Sequence, residues 1–300
     1  MPTSDSRRIR VLLVYKKNAY QAYLRQRRGL ALFYKRSRAF VRADLEQFRK
    51  GYEAHRRAME QVRRLLRARG ARVRAVSRGG AADYSGHDLV ISVGGDGTFL
   101  EAARYVTRQQ ILGVNSDPAR SAGTFCRATA RTFGLMFERI LRGRVRIRKL
   151  SRIRLELNGK PLEIHVLNDI LVTDRKPAAM SRYWIKIGKV QEEHRGSGLW
   201  ISTAAGSTGA IQSAGGRRLR WNSKTIQYRP RELYQWRKSR YRLTGGILPL
   251  NRSVTVGSLM REGLICLDGE NFTVPFHYGD RLRISASPYP LQLIDGPLKT

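Results

Sequence analysis

Residues 94–98 read Gly94-Gly95-Asp96-Gly97-Thr98 and sit between an apolar run and a helical run. Glycines in such a loop let backbone N–H groups approach an oxyanion with no Cβ in the way. The start of the following helix adds positive potential for phosphates. The carboxylate of Asp96 has another task, since like charges repel: it suits a proton acceptor for an attacking hydroxyl, or a ligand for Mg²⁺. No Gly-Lys-Ser/Thr follows, so this is not a Walker loop. The plain alternative is a glycine-rich turn with a solvated Asp96. Residues 199–216 (LWISTAAGSTGAIQSAGG) interleave Ser202, Thr203, Ser207, Thr208 and Ser213 with Gly206, Gly209, Gly215 and Gly216. That texture suits a close-fitting polar ligand and equally an ordinary loop. In IHVLNDILV, Asn168 and Asp169 interrupt an apolar strand. Local rule-breaking of this kind marks either a site or a strand end.

The elements that position these residues follow from periodicity. Residues 9–15 (IRVLLVY) read as a buried strand, and 43–68 as an amphipathic helix with Leu45, Phe48, Tyr52, Met59, Val62 and Leu66 on one face and Gly70 as its C-cap. Strands are expected at 73–76, 88–93 and 111–114, and helices at 99–106 and 133–141. This alternation predicts an α/β fold with an N-terminal Rossmann-like parallel sheet. Beyond about residue 145 the texture becomes β-rich: 152–157, an Asn158-Gly159 hairpin turn, 162–173, 183–190, 199–203, 253–256, 264–267, 272–275 and 281–286. The expected organisation is an α/β domain over 1–145, a β-sandwich-like domain over 146–285, and a tail over 286–300 that packs back on the first domain.

Composition excludes several classes. In 300 residues, 41% are hydrophobic and 27% charged, near globular averages. No run approaches the ~18 apolar residues of a membrane span. Cys126 and Cys266 are too few for a disulfide framework, which fits a reducing compartment. With no signal-like apolar stretch before residue 9, cytoplasm is the expectation. The outlier is a net charge of +35, from 12 lysines and 46 arginines against 23 acids. Nucleic acid, a polyanionic small molecule, and arginine-rich codon usage each account for it.

Together the three motifs resemble the NAD kinases, which share a superfamily with diacylglycerol and sphingosine kinases. Residues 94–98 match the superfamily's GGDGT signature and Asn168-Asp169 the Asn-Glu/Asp motif. Residues 206–208 with 213–216 match the GST…SAGG segment, Arg231-Glu232 resembles a further pair, and Asp268-Gly269 a late Asp-Gly turn. The lipid kinases carry a Gly-Thr-Gly-Asn-Asp-like stretch where this chain has residues 113–118. Those residues, Arg120-Ser121, the region 20–52 and residues 197–199 resemble the mitochondrial-type branch. Most bacterial members carry Asp at the place of Ser197, so no contact is carried over to it. The resemblance implies transfer of the ATP γ-phosphate to the 2′-hydroxyl of the adenosine ribose of NAD, or NADH, with polyphosphate left open as donor. Gly94, Gly95, Gly97 and Thr98 would hold phosphate. Asp96 would act as base and, with Gly97, Asn168, Asp169, Thr208 and Ser213, would bind NAD. Mg²⁺ would arrive with ATP, with no tightly bound organic cofactor and no metal held by the protein alone. It further implies a homo-oligomer, a dimer foremost. The alternatives are a lipid kinase of the superfamily, or a basic nucleic-acid-binding protein on a kinase-like core.

Residues 217–242 stand apart. Ten basic residues face one acid, Glu232, with five aromatics interleaved. The composition suits a single-stranded nucleic-acid platform, an arginine-rich insertion on a solvated face, or a flank of the NAD pocket that attracts anionic substrates.

Overall fold

Strand β1 (Arg10–Tyr15) buries Val11, Leu12, Leu13 and Val14 in succession, and β3 (Leu89–Gly94) is buried along its whole length. Burial without alternation is the mark of a parallel strand covered on both faces. In the computed structural model, which describes residues 8–17, 38–235 and 240–297, β1 lies between β2 (Arg72–Ser77) and β3, parallel to both. β3 pairs in parallel with β4 (Gln110–Asn115), which also pairs with β5 (Cys126–Thr129). The sheet continues from β4 through β19 (Leu291–Pro297) to β6 (Val145–Leu150). Among the described residues, three helices accompany it: α1 (Arg38–Ala68), α2 (Asp96–Tyr105) and α3 (Ala130–Leu141). Met59, Val62 and Leu66 of α1 join the buried cluster at helical spacing, and Gly70, at φ +69°, ends the helix. Phe48, expected on that face, is half exposed instead. Thr129 caps α3 in a box with Thr132.

The second unit is a pair of six-stranded antiparallel sheets. One runs in the order β11 (Val190–Gly196), β10 (Ser181–Ile187), β15 (Val254–Ser258), β18 (Arg281–Ala286), β7 (Ile153–Leu157), β8 (Lys160–Val166). The other runs β14 (Gly246–Pro249), β13 (Thr225–Arg231), β12 (Gly198–Thr203), β9 (Asp169–Asp174), β16 (Gly263–Leu267), β17 (Thr273–Phe276). Ile185, Val256 and Leu282 of the first sheet share one apolar cluster with Ile170, Ile201 and Ile265 of the second, which makes the pair a sandwich. Asn158 and Gly159 both take positive φ, as a tight hairpin turn requires.

Three expectations are corrected. The run 162–173 is not one strand: β8 ends at Val166 in one sheet and β9 begins at Asp169 in the other. The run 183–190 is the hairpin β10–β11, turned by Gly188 at φ +60°. The basic segment is not a solvated insertion throughout, because β13 pairs on both sides and buries Ile226 and Tyr228. Trp236, Arg237 and Lys238 of that segment, like Tyr20, lie outside the described residues.

The division between units also differs from the expected boundaries. Described residues up to Ala102, Gln109–Arg148 and those from Leu293 form one unit; Ala103–Arg108 and Lys149–Gln292 form the other. The reason the short stretch 103–108 groups with the second unit is Arg152, which is fully buried. Its guanidinium donates to the carbonyls of Ala103 and Val106 at 2.8 Å each and to that of Tyr289. Helix ends leave carbonyls unpaired, and here a buried cation takes them. Burial pulls the Arg152 guanidinium down to about 10, against the pull of Asp268. Arg152→Met strands three carbonyls at roughly 1–3 kcal/mol each. The expected loss is about 3 kcal/mol or more, read from urea unfolding, with partial recovery in Arg152→Lys; an unchanged midpoint would contradict this account.

Candidate active site

In the first unit, β3 ends at Gly94 and α2 begins at Asp96. A Cβ on Gly94 would collide with the Thr98 hydroxyl, and one on Gly95 with the Ser121 hydroxyl. The loop is therefore closed to side chains. It borders a cavity of about 340 Å³ lined by residues 94–98, Asn115, Asp117 and Ser121 and by three cations, Lys16, Arg78 and Arg120. Two of the cations are held by acids: Arg78 pairs with Glu101 at 3.5 Å and Arg120 with Asp117 at 2.8 Å. Asn115 shapes the far wall, donating to the Ser121 carbonyl at 2.9 Å and accepting the Asp117 N–H at 3.0 Å.

Asp96 is oriented from behind. Its two carboxylate oxygens accept the backbone N–H groups of Thr124, at 2.9 Å, and Phe125, at 2.8 Å. The Phe125 ring stacks on Phe99, one turn into α2, with centroids 5.3 Å apart. A carboxylate offers about four lone-pair sites, so each oxygen keeps capacity for a further hydrogen bond. Burial first, then Asp96, pushes the nearby Cys126 thiol up to about 12, so this loop holds no thiolate nucleophile.

In the second unit, the chain crosses between sheets at Leu167 and Asn168, and their backbone groups lose ladder partners there. Asp268 supplies replacements: its carboxylate accepts the N–H of Leu167 at 3.1 Å and of Asn168 at 2.6 Å. Its own N–H donates to the Asp169 carbonyl at 2.9 Å. Asp268 takes φ +50° to do this, uncommon for a residue with a Cβ. Thr203 serves the carbonyls, its hydroxyl donating to Leu167 and its N–H to Asn168. Gly206 lies so close that any Cβ would strike the Asn168 carbonyl. A Cβ on Gly209, which precedes α4 (Ala210–Ser213), would come 3.3 Å from Asp169 Oδ2 and 3.4 Å from Asn168 Nδ2. The amide and the carboxyl thus face one glycine together. Burial, reinforced by Asp268, pushes the Asp169 carboxyl up to about 7. Burial also raises Asp268, to about 6, against its N–H donors and the Arg104 guanidinium.

The expected residues therefore fall into two sets. Gly94, Gly95, Asp96, Gly97 and Thr98 gather around the cavity of the first unit. Asn168 and Asp169 gather with Gly206 and Gly209 in the second. Thr208 lies between those two glycines in sequence and Ser213 follows them, and both are exposed. Ser197 contributes only its backbone, to Arg231 and Thr173. Sequence reasoning missed Lys16, Arg78 and Arg120, single cations on separate loops among 58. It also missed the backbone donors of Thr124 and Phe125, which carry no sequence signal.

Comparison with known proteins meets this geometry. The model of the ATP-NAD kinase N-terminal domain matches residues 11–144. A probable NADH kinase of Oryza sativa subsp. japonica is 36% identical over 229 residues, covering 69% of this chain and 70% of that protein. The chain belongs to the NAD kinase family. Within the family, the mitochondrial NAD kinase 2 of Xenopus tropicalis is 35% identical over 128 residues, 38% of this chain and 29% of that protein. The crystal structure of an NAD kinase from Archaeoglobus fulgidus in complex with ATP has the same fold, with TM-score 0.67 at 19% identity over 96% of this chain and 94% of that one.

The raised carboxyl of Asp169 has a measurable cost in this NAD kinase fold. Unfolded, it ionises near pH 4; folded, near pH 7. Between those values the native state holds the extra proton, so stability falls as pH rises through the window. Asp169→Asn removes that loss. Urea midpoints of parent and variant should coincide near pH 4 and separate above pH 7, the variant being more stable by on the order of 4 kcal/mol. A parent more stable than the variant at pH 8 would refute this.

Proposed function

We propose that this chain transfers the γ-phosphoryl group of ATP to the 2′-hydroxyl of the adenosine ribose of NAD or NADH, giving NADP or NADPH. The observation that carries the reading is a carboxylate held by two backbone N–H groups inside a glycine loop at a helix start, on a cavity with three cations. Family membership favours this chemistry over a lipid kinase or a nucleic-acid-binding protein. The name of the rice relative puts NADH beside NAD as acceptor.

The first unit serves the donor side. Residues 94–98 leave room for phosphate oxygens against the backbone, and Lys16, Arg78 and Arg120 offset their charge. The two arginines already hold carboxylates, so they are oriented before the nucleotide arrives. The second unit serves the acceptor side: the Asn168 amide and the Asp169 carboxyl suit the neighbouring hydroxyls of a ribose. Asp96 takes the proton of the attacking hydroxyl. A sugar hydroxyl is a poor nucleophile at neutral pH, and a positioned base typically contributes about 10²–10⁴ in rate. The transfer otherwise asks for alignment and charge stabilisation.

Mg²⁺ fits the donor side as an ion carried by the nucleotide. The described residues offer no cluster of three acidic, histidine or cysteine ligands, while Mg²⁺ in kinases takes one or two carboxylates and completes its shell with phosphate and water. Carried by ATP, it would neutralise phosphate charge and leave Asp96 to take the proton. The proposal extends to a homodimer working in the cytoplasm.

Two measurements test the assignment. Asp96→Asn lowers NADP formation at saturating ATP and Mg²⁺ by at least about 10²; a rate within about tenfold of the parent, in a protein with the parent's thermal melt, would remove Asp96 as base. Asp169→Ala raises KM for NAD at least tenfold more than KM for ATP; a loss confined to ATP would place Asp169 on the donor side.

A further inference from the structure

A second cavity, of about 300 Å³, lies wholly in the second unit, between the turn after α4 and the start of β14. It shares no lining residue with the donor cavity, and neither Asn168 nor Asp169 borders it. Its wall carries two arginines, Arg217 and Arg229, four glycines and no acid. Some arginines are paired with acids: Arg78, Arg120 and Arg127 each hold a carboxylate. Among the described residues, neither Arg217 nor Arg229 has an acidic partner.

Both arginines are nonetheless fixed. Arg229 donates Nε to the Ala214 carbonyl at 3.1 Å, which sets the plane of its guanidinium. Glycines flank it: a Cβ on Gly215 would come 3.1 Å from Nη2, and one on Gly245 3.0 Å from Nη1. Any larger residue would crowd the two terminal nitrogens. Arg217 is pinned through its backbone by Gln227, whose buried amide accepts the Arg217 N–H at 2.6 Å and donates to the Arg217 carbonyl at 3.2 Å. A planar guanidinium with both terminal nitrogens clear matches two oxygens of a phosphate.

We propose that this cavity binds a small phosphorylated anion. Its volume is at the lower limit for small-molecule sites, so the ligand is of the size of pyrophosphate or a sugar phosphate and not of a dinucleotide. Arg229 supplies the forked contact, Arg217 a second cation, and the glycine backbone the close approach.

The test is calorimetric titration of the full chain with inorganic pyrophosphate at 0.15 M salt, where general attraction by a basic surface is largely screened. The parent should bind two equivalents, one of them at the donor cavity. Arg229→Gln should bind one, with the parent's thermal melt. Arg217→Gln, whose side chain is exposed and whose backbone anchor survives, should weaken the same equivalent at least tenfold; it carries the test if Arg229→Gln fails to fold. Ribose 5-phosphate in place of pyrophosphate separates the two sources: binding at the variant-sensitive site assigns a sugar phosphate, and binding of pyrophosphate alone a diphosphate. A single equivalent in the parent, or two in both folded variants, overturns the proposal.

Discussion

The Asn168–Asp169 pair depends on one buried carboxylate, that of Asp268. Where β8 gives way to β9 the chain leaves one sheet for the other, and two consecutive N–H groups lose their ladder partners. Buried donors without partners cost about as much as a lost hydrogen bond each. Asp268 takes both, from a left-handed backbone conformation and at the expense of its own hydration. Thr203 does the same for the carbonyls. With both sides of the crossing satisfied, Asn168 and Asp169 are set at a fixed angle, and the approach of Gly206 is part of that fixation. Burial raises both carboxyls as a consequence, and Asp268 adds to the rise at Asp169. A site with this much ionisable character in an apolar sandwich gives up stability for position.

The arginine excess is handled in more than one way. Arg152 is buried against carbonyls with no carboxylate bonded to it. Asp295 takes the opposite role, a nearly buried acid ringed by Arg127, Arg146 and Arg148. Those guanidinia hold its carboxyl below the usual range although burial pulls the other way. Such a cluster keeps a surplus of positive charge while tying β19 to β5 and β6. Charge here is therefore partly structural, which is why net charge alone singles out none of the three accounts of it.

Much of the fold was legible because its signals are local. The uninterrupted burial of β1 and β3, the spacing of Met59, Val62 and Leu66, and the turn at Asn158-Gly159 each depend on a few adjacent residues. The loop at 94–98 was legible for the same reason. What stayed hidden is non-local. An apolar run from 162 to 173 looks the same whether it stays in one sheet or changes sheets, since both interiors are apolar. β13 was masked because arginines occupy its outward positions, and the inward pair, Ile226 and Tyr228, is too short to stand out. Arg78 and Arg120 become meaningful only when separate loops converge on one cavity.

The position of β19 has a consequence for how the molecule is made. This strand follows the whole sandwich in sequence, yet it lies between β4 and β6 in the first sheet. When residues 10–150 have been synthesised, β6 has no neighbour to join, and one edge of β4 is covered only where β5 pairs with it. The first unit cannot complete its sheet until residue 297 has emerged, after the entire sandwich has been translated. Domains usually fold as units in the order they are synthesised; here the unit that begins first finishes last. The nascent chain must keep an open, apolar strand edge waiting for its last segment, and such edges invite pairing with other chains. Long-range closure of this kind is also slow, so β19 delays completion of the sheet that carries the loop at 94–98.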